Sequence, residues 1–91
     1  MTETRLTATM TGEVQGVGFR YWVRRQTEQL GLTGTAINEP DGSVTVIVEG
    51  PGQAAETLLE TLRSGNTPGQ VRNVDGRFSG ATGEFSSFRE R

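Results

Sequence analysis

The chain has no cysteine and no histidine, and its nine positive side chains are all arginine, so lysine is absent as well. These three absences exclude thiolate and imidazole nucleophiles, Ser-His and Ser-Lys pairs, Schiff bases, pyridoxal phosphate attachment, thiolate or imidazole zinc sites and any Walker lysine. Aspartate stands only at Asp41 and Asp75, which removes the two-aspartate motif of aspartyl-phosphate chemistry. An enzyme built from this chain must work with Arg, Asn, Gln, Thr, Ser, Glu and backbone amides. Long hydrophobic runs are lacking too: the longest aliphatic stretch is Val46-Ile47-Val48, and the N-terminal Met1-Thr2-Glu3-Thr4-Arg5 is polar. Neither a secretory leader nor a membrane span is therefore expected, and a cytoplasmic location fits a chain with no disulfide to form.

Positive charge is sparse as well. Nine Arg against eleven Asp plus Glu give a net charge of −2 with no basic block, which argues against nucleic-acid binding through summed phosphate contacts. The 91 residues, 32% hydrophobic with 13 glycines, fit one small domain spanning 1–91 with a thin core and many turns. Nothing in the sequence advertises an interface, so a monomer is expected.

Leu6, Ala8 and Met10 alternate with threonines, the period of a half-buried strand that ends at Gly12. Phe19, Val23, Thr27 and Leu30 follow helical spacing, predicting a helix from near residue 20 to a left-handed cap at Gly31. Leu32 to Glu39 reads as a second strand, joined by Pro40-Asp41-Gly42 to a third on Val44, Val46 and Val48. Pro51 can open a second helix carrying Ala55, Leu58, Leu59 and Leu62 up to Gly65. Val74, Gly76 and Phe78 alternate in a fourth strand, and Phe85 to Arg89 offers a short last one in which a bulge is expected. The order β-α-β-β-α-β predicts an α+β, ferredoxin-like split βαβ fold, an antiparallel sheet with two helices on one face. Such a fold hosts many functions and names none.

The segment Gly12-Glu13-Val14-Gln15-Gly16-Val17-Gly18-Phe19-Arg20 joins the first strand to the first helix. Its glycines allow successive N–H groups to converge, and the helix that follows adds the positive end of its dipole, which makes a cradle for a phosphate-sized anion. Arg20 stands at the lip, where a planar guanidinium can take two oxygens at once. Taken alone, the same residues are also a glycine-rich turn with a solvated arginine.

This segment resembles the acylphosphatase signature G-x-V-Q-G-V-x-F-R at every specified position. A second signature of that family is similar to Gly34-Thr35-Ala36-Ile37-Asn38, Gly42-Ser43-Val44 and Gly50, with departures at Thr35, where an aromatic is usual, and at Ile37, commonly basic or long. In a strand Thr35 and Ile37 face away from Asn38. The resemblance implies hydrolysis of a small-molecule acyl phosphate to a carboxylate and inorganic phosphate, with no metal and no cofactor. It places the phosphate-binding amides on Gln15, Gly16, Val17, Gly18, Phe19 and Arg20, the phosphate-binding arginine on Arg20 and the water-orienting asparagine on Asn38. Without it, Asn38 beside a turn reads as a hairpin-shaping residue. A broad tolerance of the acyl group is expected from a small, shallow site.

The remaining side chains have plainer readings. Tyr21 and Trp22 are expected to pack at the start of the helix, Arg24 and Arg25 to pair with Glu28, Phe78, Phe85 and Phe88 to fill the sheet core, and Glu13 to face solvent. Two competing functions remain: a single-stranded RNA platform, for which the strands lack aromatics, and a phosphate-binding carrier like the N-terminal domain of hydrogenase-maturation carbamoyl transferases.

Overall fold

The computed structural model describes residues 3–91, so Met1 and Thr2, the start of the polar N-terminal stretch, lie outside the described residues. Its elements are β1 (Glu3–Glu13), α1 (Phe19–Leu30), β2 (Thr33–Asn38), β3 (Val44–Pro51), α2 (Gly52–Arg63), β4 (Gln70–Gly80) and β5 (Phe88–Glu90). The strands form one sheet in the order β4-β1-β3-β2-β5. This is the ferredoxin-like α+β arrangement expected from the element order. One correction applies: β5 runs parallel to β2, so the sheet is mixed rather than wholly antiparallel.

Strand alternation decides which residues meet the helices. Leu6, Ala8 and Met10 on β1 oppose Val48, Val46 and Val44 on β3, and Ala36 and Asn38 on β2 oppose Val46 and Val44. All but Asn38 are buried, and they form one core with Phe19 and Val23 of α1 and Ala55, Leu58, Leu59 and Leu62 of α2. Each large aliphatic side chain withdrawn this way contributes about 1.5–3 kcal/mol. The parallel pairing sets Glu90 opposite Ala36, so the side chain of Glu90 leaves the sheet on the helix side, next to α1.

The predicted α1 begins one residue earlier, at Phe19, and ends at Gly31 in the expected left-handed cap, whose N–H reaches Glu28 O. Leu32 links α1 to β2 instead of belonging to the strand, and Pro51 closes β3 and caps α2. The expected bulge lies elsewhere: the register slips between Thr11 and Gly12 on β1, just before the glycine loop, and not near Phe85. Phe85 lies outside β5, in the 81–87 connection, with the Arg5 guanidinium carbon 5.3 Å from its ring centre. Phe78 is 43% exposed because β4 is an edge strand, so of the three phenylalanines assigned to the core only Phe88 packs against it.

The two departures in the second signature are accommodated on the other side of the sheet. Thr35 is buried and its hydroxyl donates to Arg89 O at 2.9 Å, adding a side-chain link between β2 and β5. Ile37 is half-buried on the same side, away from Asn38.

Candidate active site

The loop between β1 and α1 is anchored at both ends. Val14 and Phe19 are each 1% exposed, so the two residues flanking the turn are fixed in the core. Between them Gly16 and Gly18 take φ of 75° and 78°, a left-handed conformation that folds the chain back on itself; a Cβ at either position would meet nothing within 4 Å, so the turn, and not crowding, calls for glycine. Gly18 caps α1 without a side-chain hydrogen bond, and the first turn carries no acidic residue. The first α-helical bond runs from Trp22 N–H to Gly18 O at 3.0 Å, so the amides of Phe19, Arg20 and Tyr21 precede it and are free to donate outward. Together with the helix dipole they give the loop a positive potential.

Gln15 acts through its side chain in a way that spacing does not reveal. Its Nε2 donates to Glu39 O at 2.8 Å and to Ser43 O at 2.9 Å, tying the loop to the β2–β3 hairpin. The hairpin tip is itself braced by Asp41, whose Oδ1 accepts from Ser43 N–H at 3.0 Å and Ser43 Oγ at 2.6 Å. Those two bonds, the hydroxyl first, hold the Asp41 carboxyl below its ordinary pKa. Asn38, the last residue of β2, is thereby carried to the loop although it lies 18 positions beyond Arg20 in sequence.

A pocket of about 90 Å³ opens where these elements meet, lined by Val14, Gly16, Gly18, Phe19, Arg20, Tyr21, Asn38 and Glu90. Of the residues singled out in the sequence, Gly16, Gly18, Phe19, Arg20 and Asn38 come together here. Gln15 turns its side chain to the hairpin, and Val17 is 41% exposed on the loop. Larger hollows lie elsewhere, such as one of about 300 Å³ lined in part by Leu62, Arg63, Val71 and Arg72.

Arg20 and Asn38 share one acceptor. The main-chain oxygen of Arg91 accepts from Arg20 Nη1 at 3.0 Å and from Asn38 N–H at 2.9 Å, while Arg91 N–H extends the parallel pairing to Ala36 O. Among the described residues no Asp or Glu side chain forms an ion pair with Arg20, so the guanidinium donors not used by Arg91 O are available to an anion. Asn38 Oδ1 is buried and has no hydrogen-bond donor. A buried acceptor with no donor from the protein costs about 1–3 kcal/mol, and a donor entering the pocket could satisfy it.

Two residues of the pocket wall, Tyr21 and Glu90, and a third beside it, Arg91, were not foreseen. Tyr21 was expected to pack but is 54% exposed; Trp22 packs as expected, its ring 5.8 Å from that of Phe19. Glu90 lines the pocket and pairs with Arg24 Nη1 at 3.7 Å, and Arg91 supplies the shared acceptor. The signal for the last two lay in the final strand, which pairs one residue further along than its predicted end at Arg89. Arg24 also pairs with Glu28 at 3.3 Å as expected, whereas Arg25 donates to Tyr21 Oη at 3.5 Å. Glu13 is exposed and has only a long contact of 3.8 Å with Arg72.

Comparison with known proteins gives the family. The family model described as Acylphosphatase matches residues 6–90. The acylphosphatase of Thermobifida fusca is 53% identical over 91 residues, covering all of both chains. Among solved structures, an acylphosphatase from Coxiella burnetii superposes with a TM-score of 0.88 at 35% identity, covering 99% of this chain and 94% of that one. An acylphosphatase from Bacillus subtilis gives 0.89 at 28% identity, covering 97% and 98%.

Proposed function

The chain belongs to the acylphosphatase family and is a hydrolase acting on acid anhydrides, and from that premise we propose how its own residues carry out the reaction. The phosphoryl group of an acyl phosphate sits on the backbone amides of Gln15 to Arg20, with Arg20 taking further oxygens through its guanidinium. Asn38 Oδ1 accepts a hydrogen bond from the attacking water. The observation that carries this reading is the orphaned, buried Asn38 Oδ1 at the pocket that also holds Arg20.

The chemistry suits the residues available. Water oxygen bonds to phosphorus as the bridging P–O bond breaks, and the electron pair of that bond leaves with the carboxylate. The departing acid has a pKa of about 4, so its departure needs no proton from the enzyme, and a chain without His, Cys or Lys is sufficient. A phosphoryl oxygen takes the proton of the attacking water. What the protein supplies is position and positive charge for the equatorial phosphoryl oxygens, the two requirements of phosphoryl transfer. Because amides and Arg20 provide that charge, the proposed reaction needs no divalent ion. In the same proposal residues 1–91 act as one domain, as a monomer, in the cytoplasm and without nucleic acid.

Hydrolysis of benzoyl phosphate, followed by its ultraviolet absorbance in the presence of a chelator, tests the proposal. Turnover by the parent chain that resists chelation and is largely lost in Arg20→Ala is the expected result. Turnover that collapses with chelator, or survives in Arg20→Ala, would overturn the mechanism.

A further inference from the structure

The pocket has room for the phosphoryl group but little more, so the acyl part of the substrate must rest on whatever borders it. Six of the eight lining residues are unavailable for that. Val14 and Phe19 are buried, Gly16 and Gly18 have no side chain, and Arg20 and Asn38 serve the phosphoryl group and the water in the reading given above. Tyr21 and Glu90 remain, and they differ in what they admit.

Tyr21 presents an aromatic ring that is 54% exposed, a large apolar surface in water beside an anion pocket. It also borders a second hollow of about 540 Å³ along the outer face of α1, with Arg24, Arg25, Glu28 and Gln29. Tyr21, Arg24, Arg25 and Glu28 stand at i, i+3, i+4 and i+7 and so share one stripe of the helix. Tyr21 is the one residue that lines both the phosphoryl pocket and this hollow. The bond from Arg25 Nη1 to its hydroxyl, 3.5 Å long, gives the ring a preferred lie along the helix. Glu90 places a carboxylate on the rim, and its partner Arg24 is shared with Glu28. A rim made of an aromatic face and a carboxylate suits an uncharged, planar acyl group and repels one that carries a second negative charge.

We propose that Tyr21 is the platform for the acyl group and makes the enzyme favour acyl phosphates with an aromatic or extended planar acyl part over small ones. This inference rests on the proposed placement of the phosphoryl group, and it narrows the broad tolerance expected from the sequence.

The test measures kcat/KM for benzoyl phosphate and for acetyl phosphate, with inhibition by inorganic phosphate as a report on the phosphoryl pocket alone. In Tyr21→Ala the benzoyl-over-acetyl selectivity is expected to fall about 3- to 10-fold, chiefly through the KM for benzoyl phosphate, the scale of one aromatic stacking contact. Tyr21→Phe keeps the ring and is expected to keep the selectivity. A selectivity in Tyr21→Ala equal to that of the parent would overturn the platform. So would a loss in Tyr21→Phe as large as in Tyr21→Ala, which would put the effect on the hydroxyl. Equal weakening of both substrates and of phosphate would place Tyr21 in the phosphoryl pocket instead. A parent that hydrolyses neither substrate would remove the functional reading itself, an outcome distinct from a working enzyme whose selectivity ignores Tyr21.

Discussion

In the proposed reaction Asn38 is the residue at which stability and function pull apart. A buried carbonyl oxygen with no donor is a cost to the folded chain of about 1–3 kcal/mol, and removing it relieves that cost. Asn38→Ala is therefore expected to leave the melting temperature equal to or above that of the parent. In the proposed reaction the same change removes the group that orients water, so kcat falls about 100-fold while KM changes little. Calorimetry and steady-state kinetics on one sample check both halves; a lower melting temperature with unchanged kcat would mean that Asn38 only shapes the hairpin. The second signature singled this residue out, but its burial without a donor was not legible in the sequence. Gln15 shows the opposite case. The signature singles it out as a cradle residue, yet its side chain is committed to Glu39 and Ser43.

The element least legible in the sequence is the last strand, and the reason is that its position is set from a distance. β5 has three residues and follows a connection with no regular structure, so it offers periodicity nothing to register. What holds that connection is Glu49 on β3, which is 5% exposed. One carboxylate oxygen accepts from Arg5 Nε at 2.7 Å, Thr82 N–H at 2.9 Å and Thr82 Oγ1 at 3.1 Å, and the other from Gly83 N–H at 2.9 Å. Arg5 also pairs with Glu84. The helices and the β2–β3 hairpin, by contrast, are local, and their spacing and turn residues announced them. Burial alone would raise the Glu49 pKa, but the Thr82 amide, Arg5, the Gly83 amide and the Thr82 hydroxyl outweigh it and pull it down to about 2 from 4.5. A carboxyl depressed on folding adds stability that is complete above its unfolded pKa and is lost as pH falls through the folded one. Stability should therefore decline between about pH 5 and pH 2. Glu49→Gln is expected to cost about 1–3 kcal/mol at neutral pH and to flatten that decline, as followed by urea melts across the range. An acid slope identical to the parent's would show that the clasp does not govern it.

At the scale of the whole molecule, the site joins pieces that are far apart in the chain: the loop at residues 14–20, the end of β2 and the residues at 90–91. In the proposed reading an anion in the pocket touches all three at once and so is linked to the stability of the entire sheet. The net charge of −2 does not prevent this, because amides, helix dipole and Arg20 make the potential locally positive. Inorganic phosphate, as product and as the simplest occupant, is therefore expected to raise the melting temperature. Ligand at ten times its dissociation constant adds about 1.4 kcal/mol. For a chain of this size that corresponds to a shift of about 6–11 °C. The shift should follow the logarithm of phosphate concentration, should not appear with chloride at equal ionic strength, and should vanish in Arg20→Ala. A shift that chloride reproduces would reflect general screening. One that persists in Arg20→Ala would place the phosphate elsewhere on the surface, and the proposed assembly of the site from three distant segments would fail with it.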